Sequence, residues 1–309
     1  MEEYIRIVDA HAHLWLRQYG VVDGQTVVGG TDGRAMFLGE ERQMLPPFMV
    51  DGRNTAEVFL SNMNYARVSA AVITQEFIDG LQNDYLHTVQ RRYPERFFVF
   101  GMPEWRSPDF AQQVRQLIAR GFKGIKLPAA RLIGLSGRIR LDSSEMIETF
   151  RLLEHHGIIL GVELAEGNLQ TREMETVIEA CPRLTVIIGH FGMVGREGWQ
   201  HQVCLARHPR VYIESGGITW LFNDEFYPFP SAVRAIREAA DLVGIDKLMW
   251  GSDYPRTITA ITYKMSYDFI LKSDLLTADE RRAFLSDNAA RVFGFDRLVS
   301  LPYIKNMSE

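Results

Sequence analysis

The sequence predicts a (β/α)8 barrel, and three observations carry that prediction. Eight short apolar runs of β character alternate with longer amphipathic segments along almost the whole chain, the alternation that builds a parallel sheet covered by helices. No Pro/Gly/Ser-rich linker divides the chain, and no G-x-G-x-x-G follows the first run, so a doubly wound two-domain enzyme fits less well. Polar residues recur at the C-terminal ends of the runs, the face on which such barrels carry their chemistry.

The eight runs are Ile5 to His13, Ala70 to Gln75, Phe97 to Pro103, Phe122 to Pro128, Ile158 to Leu164, Thr185 to Gly192, Val211 to Gly217 and Lys247 to Pro255. On a strand, side chains two apart point the same way, so Asp9, His11 and His13 are expected on one face. Between the runs, T55-A-E-V-F-L-S-N-M-N-Y-A-R-V68 opens on a threonine cap. D142-S-S-E-M-I-E-T-F-R-L-L-E-H-H-G157 starts at an aspartate and stops at a glycine, and T277-A-D-E280 has capping-box spacing. From Leu14 to Asn54 the chain is rich in glycine and turn signals, and D23-G24 between apolar pairs predicts a hairpin. A structureless loop this long is unusual in a compact domain. Residues 14–54 are therefore expected to be an insertion covering the catalytic face, within one domain spanning 1–309.

At 309 residues the chain has ample core for one large domain. A net charge of -5 with scattered Arg and Lys residues argues against nucleic acid as a partner. Q90-R-R-Y-P-E-R96, the densest basic patch, reads as a solvated helix end. Cys181 and Cys204 form neither a metal-type spacing nor a disulfide framework, which fits a reducing cytoplasm. No apolar stretch approaches the roughly 20 residues of a membrane span, and M-E-E-Y lacks a basic n-region before an apolar segment, so neither export nor anchoring is expected.

Listing the residues at the strand ends gives a constellation. His11 and His13 close the first strand, Glu163 lies on the fifth, His190 on the sixth and Asp253 on the eighth, in G251-S-D-Y-P. Around one point of a barrel mouth these offer nitrogen and oxygen donors suited to a divalent ion such as Zn²⁺ or Mn²⁺.

H11-A-H13 after V-D, the histidine in V-I-I-G-H-F-G192, the run W-G-S-D-Y-P from Trp250 and the late N288-A-A-R-V-F293 together resemble the amidohydrolase superfamily. The closer resemblance is to its amidohydrolase-2-type, metal-dependent branch of lactonases and decarboxylases. It runs in motif order from about residue 5 to residue 295 and implies a distorted barrel with a mononuclear metal centre. His11 and His13 then correspond to the first-strand ligands, His190 to a histidine that binds metal or polarises substrate, and Asp253 to the aspartate that binds metal and shuttles a proton. The departure is Glu163, where many relatives carry histidine; a glutamate adds negative charge and makes an ion less Lewis-acidic.

The resemblance implies ester or lactone hydrolysis, in which a divalent ion acidifies water and Asp253 accepts the proton and passes it to the leaving alkoxide. N83-D-Y-L-H and H190-F-G-M lean towards the lactonase branch. Lys126, Arg131, Arg196 and Arg256 follow strands four, six and eight and suit an anionic substrate, a sugar-acid or dicarboxylic acid lactone. Glu104, in G-M-P-E-W105, is an additional ligand or a plain loop carboxylate. Two other readings stand beside this one. The first is non-hydrolytic decarboxylation of an aromatic or unsaturated acid, with Trp15, Trp105, Trp220 and Phe222 walling a flat substrate. The second is a catalytically inactive binding protein. The aromatic run from Trp220 to Pro230 serves equally as pocket wall or as contact in a homo-oligomer.

Overall fold

The computed structural model describes residues 4–133, 139–305 and 307–308. Ile7–His13 forms β1, and every one of its residues is buried, as a strand sandwiched between helices and a barrel interior must be. The others follow as β2 (Val68–Thr74), β3 (Phe97–Gly101), β4 (Gly124–Leu127), β5 (Ile159–Val162), β6 (Val186–Ile188), β7 (Val211–Glu214) and β8 (Leu248–Met249). They pair in chain order as one parallel sheet.

The ring closes just beyond β8. Ala10 N–H donates to the Trp250 carbonyl at 2.8 Å, Asp253 N–H to the His11 carbonyl at 2.9 Å, and His13 N–H to the Tyr254 carbonyl at 2.8 Å. The expected (β/α)8 barrel is therefore the fold, and each of the eight runs supplies one strand. Runs five, six and eight give up their last residues from the ladder, and those residues build the mouth.

Two apolar layers flank the sheet. Val8, Ala10, Val72, Phe100, Ile187 and Met249 pack inside the barrel, while Ile7, Ala12, Ile73, Val99, Ile125 and Val162 pack outward beneath the helices. On β1 the inside residues include both Val8 and Ala10 and, farther up, His11 and His13. Strict alternation forbids this, and a bulge permits it: between Asp9 and Ala12 the chain advances three residues while its partner advances two, from Ala71 to Ile73. The extra residue flips the parity, so His11 and His13 turn inward above Ala10.

Asp9 consequently turns away from the two histidines, contrary to the expectation that all three share a face. It is fully buried between β1 and the end of β8 and accepts hydrogen bonds from His11 N–H (3.0 Å), Ser252 N–H (2.8 Å), the Ser252 hydroxyl (2.5 Å) and the Tyr263 hydroxyl (2.6 Å). Those bonds pin the bulge. Burial raises the Asp9 carboxyl to about 6, against the hydrogen bonds that lower it.

Local signals mostly act as read. Thr55 caps the helix Ala56–Tyr65, and Thr277 with Glu280 closes both bonds of a capping box. The helix Ser144–His155 is capped by Ser143 rather than Asp142, whose carboxylate is instead held by Arg140 at 2.6 Å. In the 14–54 segment, Val21–Val22 pairs with Gln25–Thr26 across Asp23 and Gly24, both at positive φ, giving the predicted hairpin. A three-stranded antiparallel sheet of Val28–Gly29, Arg34–Phe37 and Glu40–Gln43 follows. The segment returns to its point of departure: Trp15 and Asn54 bridge, and the Asn54 amide donates to the His13 carbonyl at 2.6 Å. Among the described residues no helix is long and apolar enough to cross a membrane.

Candidate active site

Glycine makes the room. The inward positions Gly189 and Gly251 stand where a Cβ would meet Glu214 Oε1 at 2.7 Å and Glu214 Oε2 at 2.8 Å, respectively. Into that space β7 projects Glu214, which the sequence reading did not select. Its Oε1 accepts the His11 Nδ1 proton at 2.7 Å and its Oε2 accepts Gly216 N–H at 2.5 Å. Asp79, just after β2, does the same for His13, its Oδ2 lying 2.7 Å from Nδ1. His190 Nδ1 lies 2.8 Å from the Gly216 carbonyl.

Carboxylates and carbonyls only accept, so in the neutral rings each Nδ1 carries the proton and each Nε2 presents a lone pair. The lone pairs converge. His11 Nε2 and His13 Nε2 are 3.0 Å apart, and Asp253 Oδ1 lies 3.6 Å from the first and 3.3 Å from the second. Three acceptors at this spacing repel one another unless a proton or a metal cation lies between them. Two ligands about 2.1 Å from an ion and about 90–120° apart are separated by about 3.0–3.6 Å, so His11, His13 and Asp253 fit a divalent ion. His11, Glu163 and His190 form a second group whose ligand-type atoms lie within 4.8 Å of one another.

Glu163 is where this site departs from the pattern implied by the resemblance. Lys126 Nζ lies 2.5 Å from Glu163 Oε1, and His190 Nε2 lies 3.4 Å from it. The lysine neutralises the buried glutamate. Burial works against the Glu163 charge, but Lys126 first and His190 next hold its carboxyl well below the usual range.

The rest of the centre behaves as a set of mutually stabilised charges. Burial would lower His13, but the carboxylates of Asp79 and Asp253 outweigh it and raise it to about 10. His190 likewise is raised to about 9, with burial opposed by Glu163, Asp253 and Glu214. Burial pushes His11 down, against the pull of Glu214. Burial also opposes ionisation of Asp253, yet its hydrogen bond to His13 and the histidine charges hold it below the usual carboxylate range.

Two of the site residues, His190 at φ 53° and Asp253 at φ 56°, adopt the left-handed backbone region. A non-glycine residue pays about 1–3 kcal/mol for such a conformation, which persists where the surroundings dictate it.

The candidate substrate cations separate into two kinds. Besides Lys126, Arg131 Nε pairs with Glu76 at 3.1 Å and the exposed Arg196 with Glu166 at 3.5 Å. Arg256 lies over the ring of Trp220, its Cζ 4.1 Å from the centroid, and among the described residues it has no carboxylate partner. Glu104 is gripped by Arg106 through two contacts of 2.6 Å. Trp15 and Trp105 are core residues whose indoles donate to the Gly52 and Lys126 carbonyls.

The fold and the site define a barrel protein whose mouth gathers three histidines and several carboxylates at metal-ligand spacing. The amidohydrolase family profile matches residues 8–295, and the chain belongs to that family. Among solved structures it is similar to a probable 2-pyrone-4,6-dicarboxylic acid hydrolase of Acinetobacter baumannii with citric acid bound (TM-score 0.64, 19% identity, covering 94% of this chain and 100% of that one). It is also similar to an amidohydrolase of Burkholderia multivorans with bound zinc (0.66, 16%, 93% and 99%). A third is 5-carboxyvanillate decarboxylase of Novosphingobium aromaticivorans, complexed with manganese (0.55, 17%, 77% and 80%). Comparison with curated proteins gave no match.

Proposed function

We propose that this chain is a metal-dependent hydrolase that opens the lactone of a sugar acid or dicarboxylic acid. One observation carries the reading: the Nε2 atoms of His11 and His13 lie 3.0 Å from each other and 3.6 and 3.3 Å from Asp253 Oδ1, with each Nδ1 fixed by a buried carboxylate. His11, His13 and Asp253 would hold the ion, with His190 and Glu163 beside it. A divalent ion such as zinc or manganese supplies Lewis acidity there and makes water a nucleophile near neutral pH.

Asp253 carries the proton. Its Oδ1 lies 3.3 Å from His13 Nε2 and 3.6 Å from His11 Nε2, at the metal position, where the carboxylate would take up the proton of the attacking water. Once protonated it can deliver that proton to the departing alkoxide. His190, held through Nδ1 by the Gly216 carbonyl, turns Nε2 towards the same space and can polarise the scissile carbonyl. Of the four candidate cations, Lys126, Arg131 and Arg196 face carboxylates of the protein. Arg256 is therefore the principal receptor for a substrate carboxylate.

Two decarboxylases are among the similar structures, so the test must separate the chemistries. Incubation of zinc- or manganese-loaded protein with a lactone panel, followed by mass spectrometry, should show gain of one water with the carbon count unchanged. Loss of one carbon as carbon dioxide from an aromatic acid would replace this reading with decarboxylation. Asp253→Asn should fold normally and lose at least about 10²-fold in turnover; surviving activity would show that another group carries the proton.

A further inference from the structure

Trp220 stands after β7 on a turn shaped around its own indole. Gly217 lies in the left-handed region at φ 66°, and a Cβ there would sit 1.6 Å from Trp220 Nε1. Only glycine lets the ring fold back this closely. Folded back, the indole meets three groups of the mouth. Its N–H donates to Asp253 Oδ2 at 2.7 Å, its ring packs edge-on against His190 with centroids 5.6 Å apart, and the Arg256 guanidinium lies over the ring, 4.1 Å from its centroid.

The consequence falls on Asp253. This residue leaves β8 on a left-handed backbone, so its side chain is not aimed by strand geometry alone. Its two oxygens have separate tasks: Oδ1 faces His11 and His13, and Oδ2 takes the indole proton. An anchored Oδ2 fixes the carboxylate plane and keeps Oδ1 single-handedly on the histidine side. A bond of this type to a ligand's remote atom governs both orientation and affinity.

We propose that Trp220 is a positioning residue that acts through Asp253, locking the carboxylate so that only Oδ1 addresses the metal position, with Arg256 pinning the ring from outside. This rests on the reading of Asp253 as a metal ligand and goes beyond it by assigning what aims the ligand. Because Arg256 and Asp253 contact the same indole, a carboxylate gripped by Arg256 would press on the ring that orients the proton carrier.

The test is a double-mutant cycle read as zinc affinity, by competition with a chromogenic chelator, on the full chain. Trp220→Phe keeps the ring and the seat of Arg256 but removes the N–H. It should weaken zinc binding about 10- to 100-fold, whereas in an Asp253→Ala background it should change affinity by less than about twofold. Trp220→His restores a ring N–H and should recover part of the loss, and Gly217→Ala should reproduce it by displacing the indole. Should Trp220→Phe fail to fold, those two variants carry the same cycle. An unchanged affinity, or an equal loss in both backgrounds, would show that Trp220 merely packs and would overturn the proposal. A wild-type protein that binds no zinc would overturn the metal reading and this proposal with it, a separate and recognisable outcome.

Discussion

Glu214→Gln is the perturbation whose effects follow most directly from the geometry. The carboxylate accepts from His11 Nδ1 at 2.7 Å, from Gly216 N–H at 2.5 Å and from His190 N–H at 3.3 Å. An amide of the same shape has one accepting end. If its oxygen serves His11, its NH2 faces the Gly216 N–H. If it serves Gly216, its NH2 faces His11, which must move its proton to Nε2 and so withdraw a lone pair from the metal position. Burial alone would favour the neutral amide, but His11, and then His190 and Lys126, depress the Glu214 pKa, so the site stabilises the anion on balance. The change weakens a charge-assisted bond by about 1 kcal/mol and leaves one buried N–H unpaired at about 1–3 kcal/mol, a total of about 2–4 kcal/mol. Urea unfolding of the metal-free protein measures that loss, and chelator competition should show zinc binding weakened about 10- to 100-fold. A stability change below about 0.5 kcal/mol together with unchanged zinc affinity would refute the argument that Glu214 sets the His11 tautomer.

Lys126→Met takes from the buried Glu163 its nearest counter-ion, leaving only His190 at 3.4 Å, and should destabilise the protein by about 3 kcal/mol in urea unfolding, with Lys126→Met/Glu163→Leu recovering much of the loss; no recovery would mean that Lys126 acts through packing alone. Zinc affinity should rise with pH, log K increasing by about one per unit for each proton displaced, because His13 at about 10 and His190 at about 9 hold protons that a metal must remove. In the metal-free protein the sign for stability is opposite. Both histidines have folded pKa values above the ordinary 6.5, so their contribution is complete below about 6.5 and is lost as pH rises towards 9 and 10. The thermal midpoint of metal-free protein should therefore fall across that window, and a midpoint that climbs instead would contradict the charge assignments.

The barrel was legible because its signal is repeated: eight apolar runs separated by amphipathic helices leave few alternatives, and every run became a strand. His11, His13, His190 and Asp253 were legible as strand-end residues, and the structure brings them together. What the sequence hid were the partners. Glu214 ends β7 within the seventh run, two residues before G216, and the G216-G217 pair shows its purpose only once the carboxylate and Trp220 are seen to need that space. Asp79 lies in a loop with no periodicity, and its approach to His13 depends on a contact between residues 66 positions apart. Alternation along a strand assumes regular pairing, and the bulge in β1 breaks it, turning Asp9 away from the histidines. Position after a strand does not show that Glu76 and Glu166 already neutralise Arg131 and Arg196.

The claim on which all of this rests is that His11, His13 and Asp253 hold a divalent ion. Elemental mass spectrometry on protein purified without chelator tests it directly, with His11→Ala/His13→Ala as the control. The account predicts about one zinc or manganese per chain, lost in the double variant while circular dichroism shows the barrel retained. A wild-type protein that stays metal-free even after incubation with either ion, or a double variant that keeps its metal, would contradict it.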